Sequence, residues 1–156
     1  MKTWPKTFVA CASALAIAAC GPSAEPEVQP APPPAPTSIL SVRDAWARAA
    51  DSGAMTAVYF TVENTAAVSD TMSGVRTDAA EEAGLHMSMQ SNGTMHMAPL
   101  RTLPMPASDS VLFRPMGAHV MLTRLTRALA EGDTVQVTLE FVSGQSLDVR
   151  AGVRTP

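Results

Sequence analysis

Beyond residue 38 the chain is a succession of short apolar runs, several alternating at a period of two, the spacing of half-buried strands rather than of helices. The cleanest runs from Thr134 to Val142, where Val135, Val137, Leu139 and Phe141 fall on one face. Val42 to Arg48 also reads as alternating apolar with polar at period two, and Thr56 to Val62 is rich in β-branched and aromatic residues until Asn64 interrupts it. Thr71 to Thr77, Gly84 to Met89 and Thr94 to Leu100 read as further strands, the last two joined by Ser91-Asn92-Gly93, a strong hairpin signal. Leu103 to Ser110 is turn-rich. Val111 to Arg114 and His119 to Leu125 read as strands around Pro115-Met116-Gly117, and Ser146 to Val153 completes the set. Helix is expected only as single turns, at Asp78 to Glu82 and Thr126 to Glu131. Many short strands without helical crossovers predict an all-β fold, an antiparallel sandwich or small barrel of Greek-key type.

The N-terminal segment departs from this pattern. Lys2 and Lys6 precede a short apolar run, Phe8 to Ala19, that ends in Ile17-Ala18-Ala19-Cys20. This reads as a secretory signal over 1–19, too short to span a membrane, with Cys20 placed as the acylated residue of a bacterial lipobox. Gly21 lacks the aspartate that favours inner-membrane retention, so the expected location is the periplasm, lipid-anchored to the outer membrane. Residues 20–38 hold the proposed anchor and a proline-rich tether, of which Pro22 to Ser38 would reach roughly 50 Å at about 3.1 Å per residue when extended. The remaining stretch, 39–156, has the length of one domain with one core.

Loss of the signal removes both lysines. Nine arginines then face fourteen carboxylates, a balance of minus five with no basic run, which argues against nucleic acid as a partner. The only cysteines are Cys11, inside the signal, and Cys20 at the proposed anchor. The folded domain is therefore expected to have no disulfide, no redox pair and no thiolate metal ligand.

Its metal-binding chemistry would have to come from histidine and methionine. All three histidines and nine of the ten methionines lie between Met55 and Met121. Within that stretch His86, Met97, His119 and Met121 form the spacing H-x10-M-x21-H-x-M. Imidazole and thioether without thiolate suit monovalent copper, a soft cation, whereas harder ions prefer carboxylate and carbonyl oxygen. His119 and Met121 should share one strand face while Val120 and Leu122 enter the core, and His86 and Met97 should flank the hairpin. On the same reasoning His96 falls outside the primary site and Met87 is a core or supporting residue. Met89 and Met116 are candidate auxiliary donors. Met55, Met72 and Met105 are expected to be packing residues.

These residues carry a resemblance. The chain resembles the periplasmic copper chaperone family PCu(A)C, whose signature H(M)-x10-M-x21-H-x-M is matched by His86, Met87, Met97, His119 and Met121. The likeness extends through Ala45-Trp46-Ala47-Arg48, Ala57 to Asn64, Gly117 to Leu122, and Gly132-Asp133 leading to Leu139-Glu140-Phe141. It implies a cupredoxin-like Greek-key antiparallel β-sandwich that binds one Cu(I) through His86, Met97, His119 and Met121. It also implies delivery of copper to cytochrome c oxidase assembly, with the oxidase copper subunit or a Sco-type protein as acceptor. The His/Met-rich C-terminal tail with which some members take Cu(II) has no counterpart in Arg150 to Pro156.

Thioethers carry no proton to lose and form no disulfides, so such a site would hold Cu(I) in an oxidising compartment and release it by ligand exchange. No nucleophile stands with a base, and the chain reads as a carrier, not an enzyme. A copper-sequestering resistance protein would use the same donors without a dedicated acceptor. A cuproenzyme or electron carrier would need a more rigid site and usually a cysteine ligand or a third histidine in the primary shell, and the absent thiol argues against both.

Overall fold

A computed structural model describes residues 39–155. The signal, Cys20 and tether assigned to 1–38 lie outside the described residues. Ten strands follow one another: β1 (Leu40–Arg48), β2 (Thr56–Asn64), β3 (Asp70–Arg76), β4 (Ala80–Ser91), β5 (Thr94–Leu100), β6 (Leu103–Met105), β7 (Asp109–Phe113), β8 (Ala118–Leu125), β9 (Thr134–Phe141) and β10 (Ser146–Arg154). No helix occurs among the described residues. The strands pair in the order β5-β4-β8-β2-β1-β10-β9-β3-β6, with β7 alongside β2. This is the expected all-β, cupredoxin-like fold. One pairing breaks its antiparallel rule, since β1 and β10 run parallel through Trp46 to Arg48 and Gly152 to Arg154.

One face of the sheet closes on a single core. Val58, Phe60 and Val62 of β2 meet Val120 and Leu122 of β8, Val135, Val137 and Leu139 of β9, and Ala151 and Val153 of β10. Phe60 and Phe113 stack there with ring centroids 4.4 Å apart. Alternation then dictates that Ala57, Tyr59, His119 and Met121 occupy the opposite face.

A bulge in β1 makes that opposite face aromatic. Arg43 pairs with Thr61 but Trp46 pairs with Tyr59, so one extra residue stands in β1, where Asp44 adopts a left-handed φ of 58°. The extra residue reverses the strand's parity. Val42 before the bulge and Ala47 after it both pack on the core, while Trp46 turns outward against Tyr59 with ring centroids 4.6 Å apart.

Three local expectations fail for identifiable reasons. The helical turn over Asp78 to Glu82 does not form, although Ala80-Glu81-Glu82-Ala83 are good helix formers. Residues from Ala80 onward pair with β8 instead, and Arg124 of β8 bonds both Glu81 and Glu82. The helical turn over Thr126 to Glu131 does not form either, because the chain bends at Thr126 and Arg127 into an isolated bridge in which Ala50 and Leu129 exchange both backbone hydrogen bonds, at 3.0 and 2.8 Å. The turn-rich segment after Leu100 contains β6, paired with β3 from Leu103 to Met105. Asn64 explains the strand, because its buried amide donates to the carbonyls of Val68, Met105 and Pro106 and fixes this segment beside β2.

Candidate metal centre

Strand pairing alone brings the sequence-predicted donors together. His86 of β4 stands directly opposite His119 of β8, and Gly84 opposite Met121. On the other side of β4, Ser88 faces Met97 of β5. Directly opposed residues share a face at Cβ separations of about 4.5–5.5 Å, so all four donors project from one side of a three-stranded patch. The two imidazole centroids lie 5.9 Å apart. The hairpin turns at Asn92-Gly93, both with positive φ (51° and 77°), as expected of a type I′ turn.

The four donors differ in how firmly they are held. His119 is 3% exposed and Met121 9%, both buried although they face away from the core, whereas Met97 is 58% exposed. His86 is half-buried. A cleft of about 460 Å³ opens over this patch, lined by His119, Met121, Met97, Ser88, Tyr59, Thr56 and Arg48, with Met55, Pro115 and Met116 at its margin. His86 borders the patch at β4 without lining the cleft itself.

Ring orientation is set by the turn before β8. Nδ1 of His119 lies 3.0 Å from the Gly117 carbonyl oxygen, which can only accept, so the proton sits on Nδ1 and the Nε2 lone pair is left for a ligand. The same carbonyl accepts the Ser88 N–H at 3.0 Å, tying the hairpin to the turn. Nδ1 of His86 is buried and has no hydrogen-bond partner among the described residues. Burial and, secondarily, the neighbouring His119 push the His86 imidazole below the usual histidine range, a shift that favours the neutral form, the one that ligates a metal. Tyr59, whose hydroxyl burial pushes up, stands 6.3 Å from the His119 ring and walls the patch against solvent.

The chemistry of this donor set is narrow. No carboxylate lines the cleft, and the described residues contain no group of three or more His, Cys, Asp or Glu side chains able to hold a metal. A hard divalent cation would find no oxygen cage here. Two imidazoles and two thioethers instead fit a soft monovalent ion.

The structure redistributes the remaining methionines. Met72 and Met105 are buried fillers as expected, but Met55 is 60% exposed and lines the cleft. His96 and Met89 oppose each other on the reverse face of the hairpin, away from Met97. Met87 packs against the core from that same reverse face. Met116 belongs to the cleft and Met89 does not. The sequence pattern singles out neither Tyr59, which lines the cleft, nor Trp46, which packs on Tyr59. Alternation with Val58 and Phe60 was the available signal for Tyr59, while Trp46 depended on the bulge.

The copper-bound PCuAC domain from PmoF2 superposes with a TM-score of 0.63 at 22% identity, over 75% of this chain and 93% of that one, which shows the shared fold. The Cu(I) form of DR1885 from Deinococcus radiodurans, solved in solution, is 30% identical with a TM-score of 0.53, over 73% of this chain and 78% of its own. The LpqE-like family model matches residues 40–153. The chain belongs to the LpqE-like family, of PCuAC type. A protein of Leifsonia xyli subsp. xyli whose name describes it as a lipoprotein is 33% identical to this LpqE-like chain over 116 residues, 74% of this chain and 69% of that protein. The family match reaches every strand of the LpqE-like domain and includes His86, Met97, His119 and Met121.

Proposed function

We propose that this domain binds one Cu(I) through His86, Met97, His119 and Met121 and serves as an extracytoplasmic copper carrier. The observation that carries the reading is the pairing register, which sets two imidazoles and two thioethers on one face around a cleft without a carboxylate. Support comes from relatives whose names record bound copper, one of them as Cu(I). The family's lipoprotein description agrees with attachment of the chain to a membrane through Cys20. Carriage is favoured over permanent sequestration because one donor, Met97, is largely exposed and open to displacement by an incoming ligand. The proposed acceptor is the copper subunit of cytochrome c oxidase or a Sco-type protein, which offers thiolate or imidazole for exchange. Thioether supplies no negative charge, so the ion is held less tightly than between thiolates and can be given up.

Native mass spectrometry of the purified protein with equimolar Cu(I) and Zn(II) tests the metal assignment. One Cu(I) per chain with zinc excluded is the expected outcome, and equal retention of zinc contradicts it. Mixing the loaded protein with an apo acceptor domain then separates carrier from sequestering protein, since only a carrier empties.

A further inference from the structure

Residues 114–117 form a β-turn in which the Gly117 N–H donates to the Arg114 carbonyl at 3.1 Å and Pro115 occupies the second position. Met116 takes the third with a φ of 61°, where a turn of this type II pattern calls for glycine or asparagine. Glycine stands one residue later. Asp44 and Asn92, also left-handed, tolerate the conformation through their short polar side chains, and Arg124 gains two ion pairs there. A thioether has no such local compensation. Met116 is nonetheless 68% exposed, at the margin of the cleft that holds Met97, His119 and Met121. A strained and exposed apolar residue beside a site points to use of its side chain.

We propose that Met116 is the thioether through which Cu(I) enters and leaves the cleft, a transient donor distinct from the four that hold the ion. The inference rests on the copper-carrier reading above. On departure a bond forms from Sδ of Met116 to Cu(I) as the bond from Sδ of Met97 breaks. The acceptor's donor atom then binds the ion as Met116 lets go, and the bonds from Met121, His86 and His119 are exchanged in turn for the acceptor's remaining donors. Copper stays monovalent throughout, and neither thioether gains or loses a proton.

Two variants test this in the full protein, with a coloured Cu(I) chelator as acceptor in stopped-flow mixing. Met116→Leu keeps the apolar volume and the strained turn but removes the sulfur. Transfer should slow by about tenfold or more, the effect that supporting groups at metal sites carry, while equilibrium affinity and Tm stay at wild-type values. Met116→Asn should slow transfer equally and, by relieving the backbone, raise Tm by about 2–6 °C. Full-speed transfer by a normally loading Met116→Leu protein overturns the inference alone. So does an affinity loss as steep as that of Met121→Leu, which would make Met116 a holding ligand. A Tm for Met116→Asn at or below wild type removes the strain argument. Wild-type protein that takes up no Cu(I) overturns the carrier reading, and this inference with it.

Discussion

The two donors on β8 and Met97 on the β4–β5 hairpin sit on one face of one sheet, yet they occupy opposite mechanical situations. β8 lies between β4 and β2, with Val120 and Leu122 completely buried beneath His119 and Met121, and a carbonyl fixes the His119 ring. β5 is an edge strand, and pairing of β4 with β8 ends at Met87 and Ala118, so residues 88–97 extend past β8 as a two-stranded arm. Close packing fixes a side chain to one rotamer, whereas an exposed thioether retains its freedom. β8, together with the His86 paired to it, is therefore built to hold an ion, and Met97 on the arm to exchange it.

The comparison is broken most directly at β8. His119→Ala removes the best-positioned imidazole, and because even supporting groups at metal sites are worth 10–100-fold, Cu(I) affinity should fall by at least about 100-fold. Met121→Leu conserves volume, so apo stability should change by less than about 1.5 kcal/mol while affinity drops at least about tenfold. Met72→Leu, in the core, is the control and should leave copper binding alone. Chelator competition and urea unfolding on the same samples read both quantities. Unchanged affinity in both β8 variants would falsify the assignment of the site.

The division between the two halves was partly legible before any coordinates. The parity of His119-Val120-Met121-Leu122 placed donors and core residues on opposite faces, and Asn92-Gly93 located the hairpin. Exposure was not legible. Methionine is apolar wherever it stands, so nothing in the chain separated Met72, buried on β3 beside Phe141 of β9, from Met55, exposed in the lining of the cleft. Trp46 was hidden for a different reason. Period-two reasoning assumes unbroken parity, and one left-handed residue, Asp44, reverses it for the rest of β1. The helical turn expected at Asp78 to Glu82 failed because local propensity of a few tenths of a kcal/mol per residue yields to a full ladder of pairing with β8.

A smaller effect is expected at the hairpin. Met97→Leu takes away a donor that is already largely solvated, so affinity should decline less than in Met121→Leu, by about tenfold at most. Its rate of transfer to an acceptor should change more than its affinity, because exchange begins where the ion is most open. Stopped-flow transfer set beside equilibrium competition gives both numbers. If Met97→Leu and Met121→Leu lose affinity equally, with no separate change in rate, the two halves are not distinct.

The smallest effect, and the one that isolates His86, is on the pH dependence of the apo protein. Burial and the adjacent His119 hold its imidazole below the usual histidine range, so the folded chain resists a proton that the unfolded chain accepts at about pH 6.5. Above that pH both states are neutral at this residue and stability is unaffected. Below it the unfolded state binds more protons at this position, so His86 lowers stability as pH falls, and the loss continues until the folded pKa is passed. Replacing His86 by asparagine removes the group that titrates, so its share of the slope between pH 7.5 and 5.5 should vanish. Urea unfolding at intervals of half a pH unit compares the two chains. A slope as steep in His86→Asn as in wild type would place the acid sensitivity elsewhere and would leave the hairpin imidazole no more constrained than a surface histidine.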